Sequence, residues 1–232
     1  MPIKELIILS IGLLPSFVWL LFYLRKDSHP ESNRLILKIF ILGILSGFFA
    51  IFLERGFQDG MDFFGIGNLL FITFLATGII EEVIKFLAVK AGLYKVSEPD
   101  EPIDWLLFMI ISALGFAALE NVLVLASQEA ITTSKQAIEV MAWRFISATF
   151  LHALCSGAIG YFWILSHYKN KKAYLWLGFL GVASLHAFYN WSIIREEQIN
   201  ILLPLVVILA LSLFLSFGIK HLKKLKSVCN IK

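Results

Sequence analysis

Ile79-Ile80-Glu81-Glu82-Val83-Ile84-Lys85-Phe86 places two carboxylates and an ammonium inside a long apolar run, Ile66 to Ala91. Placing a charge in hydrocarbon costs roughly 2.5–3.5 kcal/mol per group on insertion scales. If the run is a helix, Lys85 lies one turn from both Glu81 (i+4) and Glu82 (i+3). Lys85 can neutralise one of them and not both. One acid is left over, and it needs a proton, a metal ion or a cation from elsewhere in the chain.

The rest of the sequence says what surrounds that run. Of the 232 residues, 59% are hydrophobic and only 16% charged, with mean hydropathy +0.81. Several runs approach the ~18–20 apolar residues that cross a bilayer. Backbone groups in lipid must be satisfied within their own segment, which makes helices the default. The expected fold is therefore all-α: a polytopic helical membrane protein forming one integral membrane domain over residues 1–232. No stretch is long and polar enough to be a separate soluble domain.

Seven spans are expected: Leu6–Leu24, Leu35–Leu53, Ile66–Ala91, Ile103–Ala126, Met141–Leu165, Ala173–Ile194 and Ile201–Ile219. Only Lys4 precedes the first, and no small-residue cleavage site follows, so it reads as an uncleaved anchor. Loop charge sets the orientation. Fourteen Lys and Arg fall in or beside alternate loops and the tail, against four (Lys4, Arg55, Lys135, Arg195) on the other side. The positive-inside bias then puts the N-terminus outside and the C-terminus in the cytoplasm. The same topology accounts for the net charge of +3, which is no argument for nucleic acid. Cys155 and Cys229 suggest no disulfide framework. Nothing in the chain signals an oligomeric state.

The polar groups within the spans share a depth. Glu81 and Glu82 lie near the middle of the third span, and Glu120 and Asn121 in the outer third of the fourth. His152 lies just outward of the middle of the fifth, and His186 and Asn190 in the outer half of the sixth. His152 and Ser156 are i, i+4, as are His186 and Asn190 and also Phe116 and Glu120, so each pair shares one helix face. Intramembrane ionisable groups face the bundle interior and pair with one another. A polar cavity open toward the outside is the simplest account. It would hold carboxylates able to act as general base and imidazoles able to bind metal or stabilise an oxyanion. Two His and one Glu are also the ligand set of a catalytic zinc with an open position. Singly, each group has a blander reading: Asn190 as helix–helix glue, Lys85 as a structural counter-ion, and Arg144 as a boundary residue that snorkels or pairs with an acid. Trp105, Trp143, Trp176 and Trp191 read as interface belt, and Glu54, Asp59 and Asp62 as solvated acids of an outer loop.

Taken in order, Glu81-Glu82-x-x-Lys85, Gly115-Phe116-x-x-x-Glu120-Asn121, His152-x-x-x-Ser156 and His186-x-x-x-Asn190 resemble the PrsW family of intramembrane proteases, related to the CAAX-prenyl endopeptidase and Abi group. The resemblance covers about Gly78 to Trp191, with a catalytic core of about residues 66–194. It implies that Glu81 or Glu82 activates the attacking water and that His152 and His186 bind a metal or stabilise the oxyanion. It also implies that Asn190 assists, with Lys85, Phe116, Glu120, Asn121 and Ser156 in support. Glu120 stands where the prenyl-endopeptidase relatives carry histidine, and Lys85 stands for their arginine one position later; both departures favour the PrsW branch. The resemblance leaves two chemistries open. One uses Zn2+ or another divalent metal held by His152, His186 and Glu82, and the other uses a glutamate-activated water without metal. It further implies residence in the cell membrane and a single-span membrane protein as substrate, with site-1 cleavage of an anti-sigma factor as the family example. A proton- or ion-coupled transporter is the alternative built from the same Glu/His cluster. A catalytically dead scaffold that binds membrane helices is a third reading.

Overall fold

The computed structural model describes residues 3–96, 99, 101–127, 133–194 and 202–225. Every regular element among them is helical: α1 (Ile3–Leu24), α2 (Asn33–Phe63), α3 (Leu69–Thr73), a π-helical segment (Phe74–Ile80), α4 (Glu81–Gly92), α5 (Pro102–Ser127), α6 (Ser134–Ile146), α7 (Ala148–Tyr168), α8 (Ala173–Ile194) and α9 (Leu202–Leu222). Six stretches are long and apolar enough to cross a membrane: α1, α2, α5, the α6–α7 pair, α8 and α9. The chain is a multi-pass membrane protein. The run that carries Glu81, Glu82 and Lys85 is a further continuous helical path, residues 69–92, made of α, π and α turns.

α5 is the central element. It packs on α1, α2, α4 and α7, and from Pro102 to Ala118 every residue is buried. A helix that is apolar all round belongs inside a bundle. Small residues let its neighbours approach backbone to backbone. A Cβ on Gly115 would collide with the carbonyl of Phe40, and one on Gly43 with that of Ser112, so α2 and α5 are in direct contact. A Cβ on Gly160 would lie 2.7 Å from the Trp105 carbonyl, which brings α7 equally close on another side.

The elements depart from the expected spans in three places. α2 continues ten residues past Leu53, with Ser32 capping its start, and so carries Glu54 on a helix rather than in a loop. The helical path through the acidic pair starts at Leu69, capped by Asn68, and contains the seven-residue π segment. The expected fifth span is two helices: α6 starts at a Thr133–Gln136 capping box, and Ser147 (φ −114°, ψ −98°) separates it from α7. Trp105 is not an interface residue; it is buried edge-on against Trp163, ring centroids 4.5 Å apart. Trp143 and Trp176 are exposed as an interface belt requires. Cys155 is a buried free thiol in α7, and Cys229 lies outside the described residues. The loops expected on one face do meet. Lys38 Nζ donates to the Gly92 carbonyl (2.7 Å), and His29 Nδ1 lies 2.6 Å from Glu101 Oε1.

Candidate active site

The first turn of α4 puts Glu81 and Glu82 at the centre of the bundle, next to α5, α7 and α8. Lys85, one turn on, is wholly buried and reaches both: Nζ lies 2.9 Å from Glu81 Oε2 and 2.8 Å from Glu82 Oε1. Its third contact is His152 Nδ1 at 2.9 Å. An ammonium has three protons and no lone pair. With all three donated, His152 Nδ1 must accept, which leaves the ring proton on Nε2. That nitrogen lies 2.8 Å from Glu120 Oε2 and donates to it. The Phe116 ring closes the remaining side, with Lys85 Nζ 4.2 Å from its centroid. Lys85 is thus both counter-ion and hub.

The two glutamates differ. Glu82 is wholly buried. Its Oε1 accepts from Lys85 and from His186 Nδ1 (3.1 Å), and its Oε2 accepts from Ser156 Oγ (2.6 Å). Among the described residues Glu81 accepts from Lys85 alone, and it lines a cavity of about 80 Å³ together with Glu54, Phe116 and Glu120. His186 donates from Nδ1, so its Nε2 carries a lone pair; that atom is buried and has no hydrogen-bond partner among the described residues. The two imidazoles stand edge to face, 5.1 Å apart.

Arg144 and Asn121 form the outer support. Arg144 Nη2 lies 3.0 Å from Glu120 Oε2, and its Nε donates to Asn121 Oδ1 at 2.6 Å. Asn121 Nδ2 donates to Thr149 Oγ1 (3.0 Å). Arg144 therefore does not snorkel; it reaches the site through Glu120. Asn121 supports the site from behind Arg144 and does not touch the Glu–Lys–His cluster. Asn190, one turn beyond His186, is half-buried and makes no side-chain hydrogen bond among the described residues.

Glu54 is the residue that sequence reasoning missed. It was expected to be solvated, but it faces the small cavity, and its buried Oε1 has no hydrogen-bond partner among the described residues. Asp59 and Asp62 are exposed as expected, beside Arg55 and Gln58. The signal for Glu54 was present: Gly43, Gly47, Ala50 and Glu54 follow at i, i+4, i+7 and i+11, a small-residue face that ends in an acid.

Formal charge sums to a surplus acid. Glu81, Glu82 and Glu120 face Lys85 and Arg144, which leaves one negative charge. Ligand atoms of Glu81, Glu82, His152 and His186 all lie within 4.8 Å of one another. Carboxylate oxygens and imidazole nitrogens suit Zn2+. His186 leaves Nε2 free, while its Nδ1 is held by Glu82, itself one of the four. The residues therefore suit a divalent ion in type and charge, with His186 Nε2 the free imidazole nitrogen; His152 Nδ1 would have to exchange Lys85 for the ion. Lys85 already sets one positive charge against three of the four.

The comparisons with known proteins identify the family. The sequence profile of PrsW family intramembrane metalloproteases matches residues 31–217. The protein named Protease PrsW of Geobacillus kaustophilus is 28% identical over 195 residues, covering 82% of this chain and 81% of that one. Its namesake in Bacillus subtilis is 26% identical over 226 residues, covering 95% and 96%. The one in Clostridioides difficile is 24% identical over 208 residues, covering 87% and 85%. No solved structure matches. With the matched residues spanning the whole Glu–Lys–His cluster and its supports, the chain belongs to the PrsW family of intramembrane metalloproteases.

Proposed function

We propose that this protease hydrolyses a peptide bond of a single-span membrane protein at the outer-half depth of the bilayer, with Glu81 as the general base. The difference between the two glutamates carries the assignment: Glu82 is tied by three donors, whereas Glu81 has one partner and borders the cavity that can hold water. Water there gives its proton to Glu81 as it attacks the carbonyl. The substrate segment must be extended at that point, because helical carbonyls are already hydrogen-bonded. Lys85 holds Glu81 and Glu82 at fixed positions, and Glu120 fixes the His152 ring by accepting from Nε2. Asn190 is the carboxamide on the His186 face that would donate to the developing oxyanion.

His152, His186 and Glu82 are the residues that would hold Zn2+ or another divalent ion, which when bound supplies Lewis-acid polarisation of the scissile carbonyl. The free Nε2 of His186 supports this reading. A membrane-anchored anti-sigma factor cut on its outer side is the proposed substrate class.

The test joins activity with metal analysis on detergent-purified protein and a library of single-span substrates. Wild type should cleave, and Glu81→Gln should be inactive yet elute and melt as wild type. The double variant His152→Ala/His186→Ala should lose about one bound metal per chain together with activity. Full activity in Glu81→Gln would remove the base assignment, and loss of activity in Glu82→Gln alone would move it to Glu82. Proton-coupled transport without cleavage by wild type would favour the transporter.

A further inference from the structure

A second cavity, of about 370 Å³, opens between α1, α7 and α9. On α7 it is lined by Phe150 and Leu154. These lie two residues from His152 and Ser156, so the cavity is on the side of α7 facing away from the site. Its floor is apolar and preformed. Trp19 stacks on Phe150 with centroids 4.1 Å apart, and its indole N–H is already donated to the Phe145 carbonyl at 2.8 Å. The mouth is different. Lys26 just past α1, Lys220 in the last turn of α9 and Lys223 just past it all line the same cavity. Among the described residues, none of the three is ion-paired to a carboxylate.

We propose that this cleft binds one anionic phospholipid, with its phosphate among Lys26, Lys220 and Lys223 and an acyl chain along the Trp19–Phe150–Leu154 floor. Charge and length argue together. The cleft follows α9 from Ser212 to Lys223, eleven residues or about 16 Å of helix. That matches one leaflet's half of the ~30 Å hydrocarbon core. A basic mouth where transmembrane helices end is the side-chain chemistry that takes anionic headgroups. A free phosphate would satisfy the lysines but leave the apolar floor unfilled. The loop charges assign this leaflet to the cytoplasm. The proposal rests on the membrane reading and is independent of the protease chemistry.

The test uses full-length protein reconstituted with equimolar phosphatidylglycerol and phosphatidylcholine, then re-extracted, with co-purifying lipid measured by native mass spectrometry. Wild type should retain phosphatidylglycerol selectively. The triple variant Lys26→Ala/Lys220→Ala/Lys223→Ala should lose that preference by roughly 100-fold, and the matching triple Lys→Arg variant should keep it. Ser216→Trp, which fills the cleft and leaves the lysines, should lose the bound lipid while keeping a wild-type melting temperature. Equal retention of the two lipids by wild type would overturn the proposal. So would an unchanged lipid complement in the triple Lys→Ala or Ser216→Trp variant, or displacement by millimolar inorganic phosphate.

Discussion

Glu82 has three hydrogen-bond donors and Glu81 has one, although they are neighbours in sequence. The i+3 and i+4 spacing to Lys85 was legible in the chain, as were the depth of His152 and His186 and the pairing of Ser156 with their face. Which donor meets which oxygen was not, because it depends on how four helices rotate against one another. Two predictions belong here. Ser156→Ala removes a hydrogen bond to a carboxylate, worth about 1.5–3 kcal/mol, so kcat/KM should fall about 10- to 100-fold. Arg144→Lys keeps the charge but cannot reach Glu120 and Asn121 together through a planar fork. A loss of activity of about 10- to 100-fold is expected from such a supporting residue, with Glu81→Gln remaining the more damaging change in the same assay. Glu54 gives a prediction of opposite sign for stability. Its carboxylate has an unpartnered buried oxygen and shares a cavity with two other acids. Glu54→Gln removes that repulsion wherever Glu54 is ionised, so the gain in melting temperature, about 2–4 °C per kcal/mol relieved, should grow as pH rises. A fall in melting temperature would mean that Glu54 has a cationic partner in the folded protein.

At the scale of elements, the existence of the helices was legible and their phase was not. A soluble helix shows its buried side by apolar periodicity, but a membrane helix is apolar toward lipid and core alike. In α8, Leu177 and Leu180 face outward while Gly178, Val182, Ala183 and His186 are buried. Size and polarity carry the phase there, as they do in the Gly43–Gly47–Ala50–Glu54 face of α2. The π segment and the break at Ser147 leave no mark in hydropathy, yet each aims a functional group: the segment sets the rotation of Glu81 and Glu82, and the break separates Arg144 from His152. π turns concentrate at functional positions. Gly78, within that segment, touches α8 so closely that a Cβ would lie 2.5 Å from the Ala183 carbonyl, one turn from His186. Gly78→Ala must therefore push apart the two elements that bring Glu82 and His186 together. Such overpacking costs about 1–3 kcal/mol. Gly115→Ala has a backbone collision of similar kind between α2 and α5. The expected distinction is that Gly78→Ala loses more activity per degree of melting temperature than Gly115→Ala. Equal ratios would mean that the π segment contributes only packing.

At the scale of the molecule, the open quantity is the number of crossings, and it decides which side of the membrane the site faces. Length and composition pick out six helices. They pass over residues 69–92 because that stretch is divided into α, π and α turns and carries Glu81, Glu82, Lys85 and Lys90. Its 24 residues nonetheless extend about 36 Å if every turn rose as in an α-helix, enough for a ~30 Å core. Three of the charges that disqualify it by composition are buried and joined inside the bundle, where Lys85 is bonded to Glu81, Glu82 and His152. Seven spans with termini on opposite sides, the expectation from the sequence, require this stretch to cross as an interior helix. On that topology the basic residues divide fourteen against four, as the positive-inside bias prefers. Single cysteines at Ser28, Lys95 and Lys171 should be protected in intact cells from a membrane-impermeant maleimide, and cysteines at Gly65 and Lys135 should be labelled. The buried Cys155 should stay unlabelled throughout. Labelling of Lys95 and Gly65 from the same side would make residues 69–92 a re-entrant helix. The cavity beside Glu81 would then have to be reassigned to the opposite face, and the proposed outer-side cleavage would fail with it.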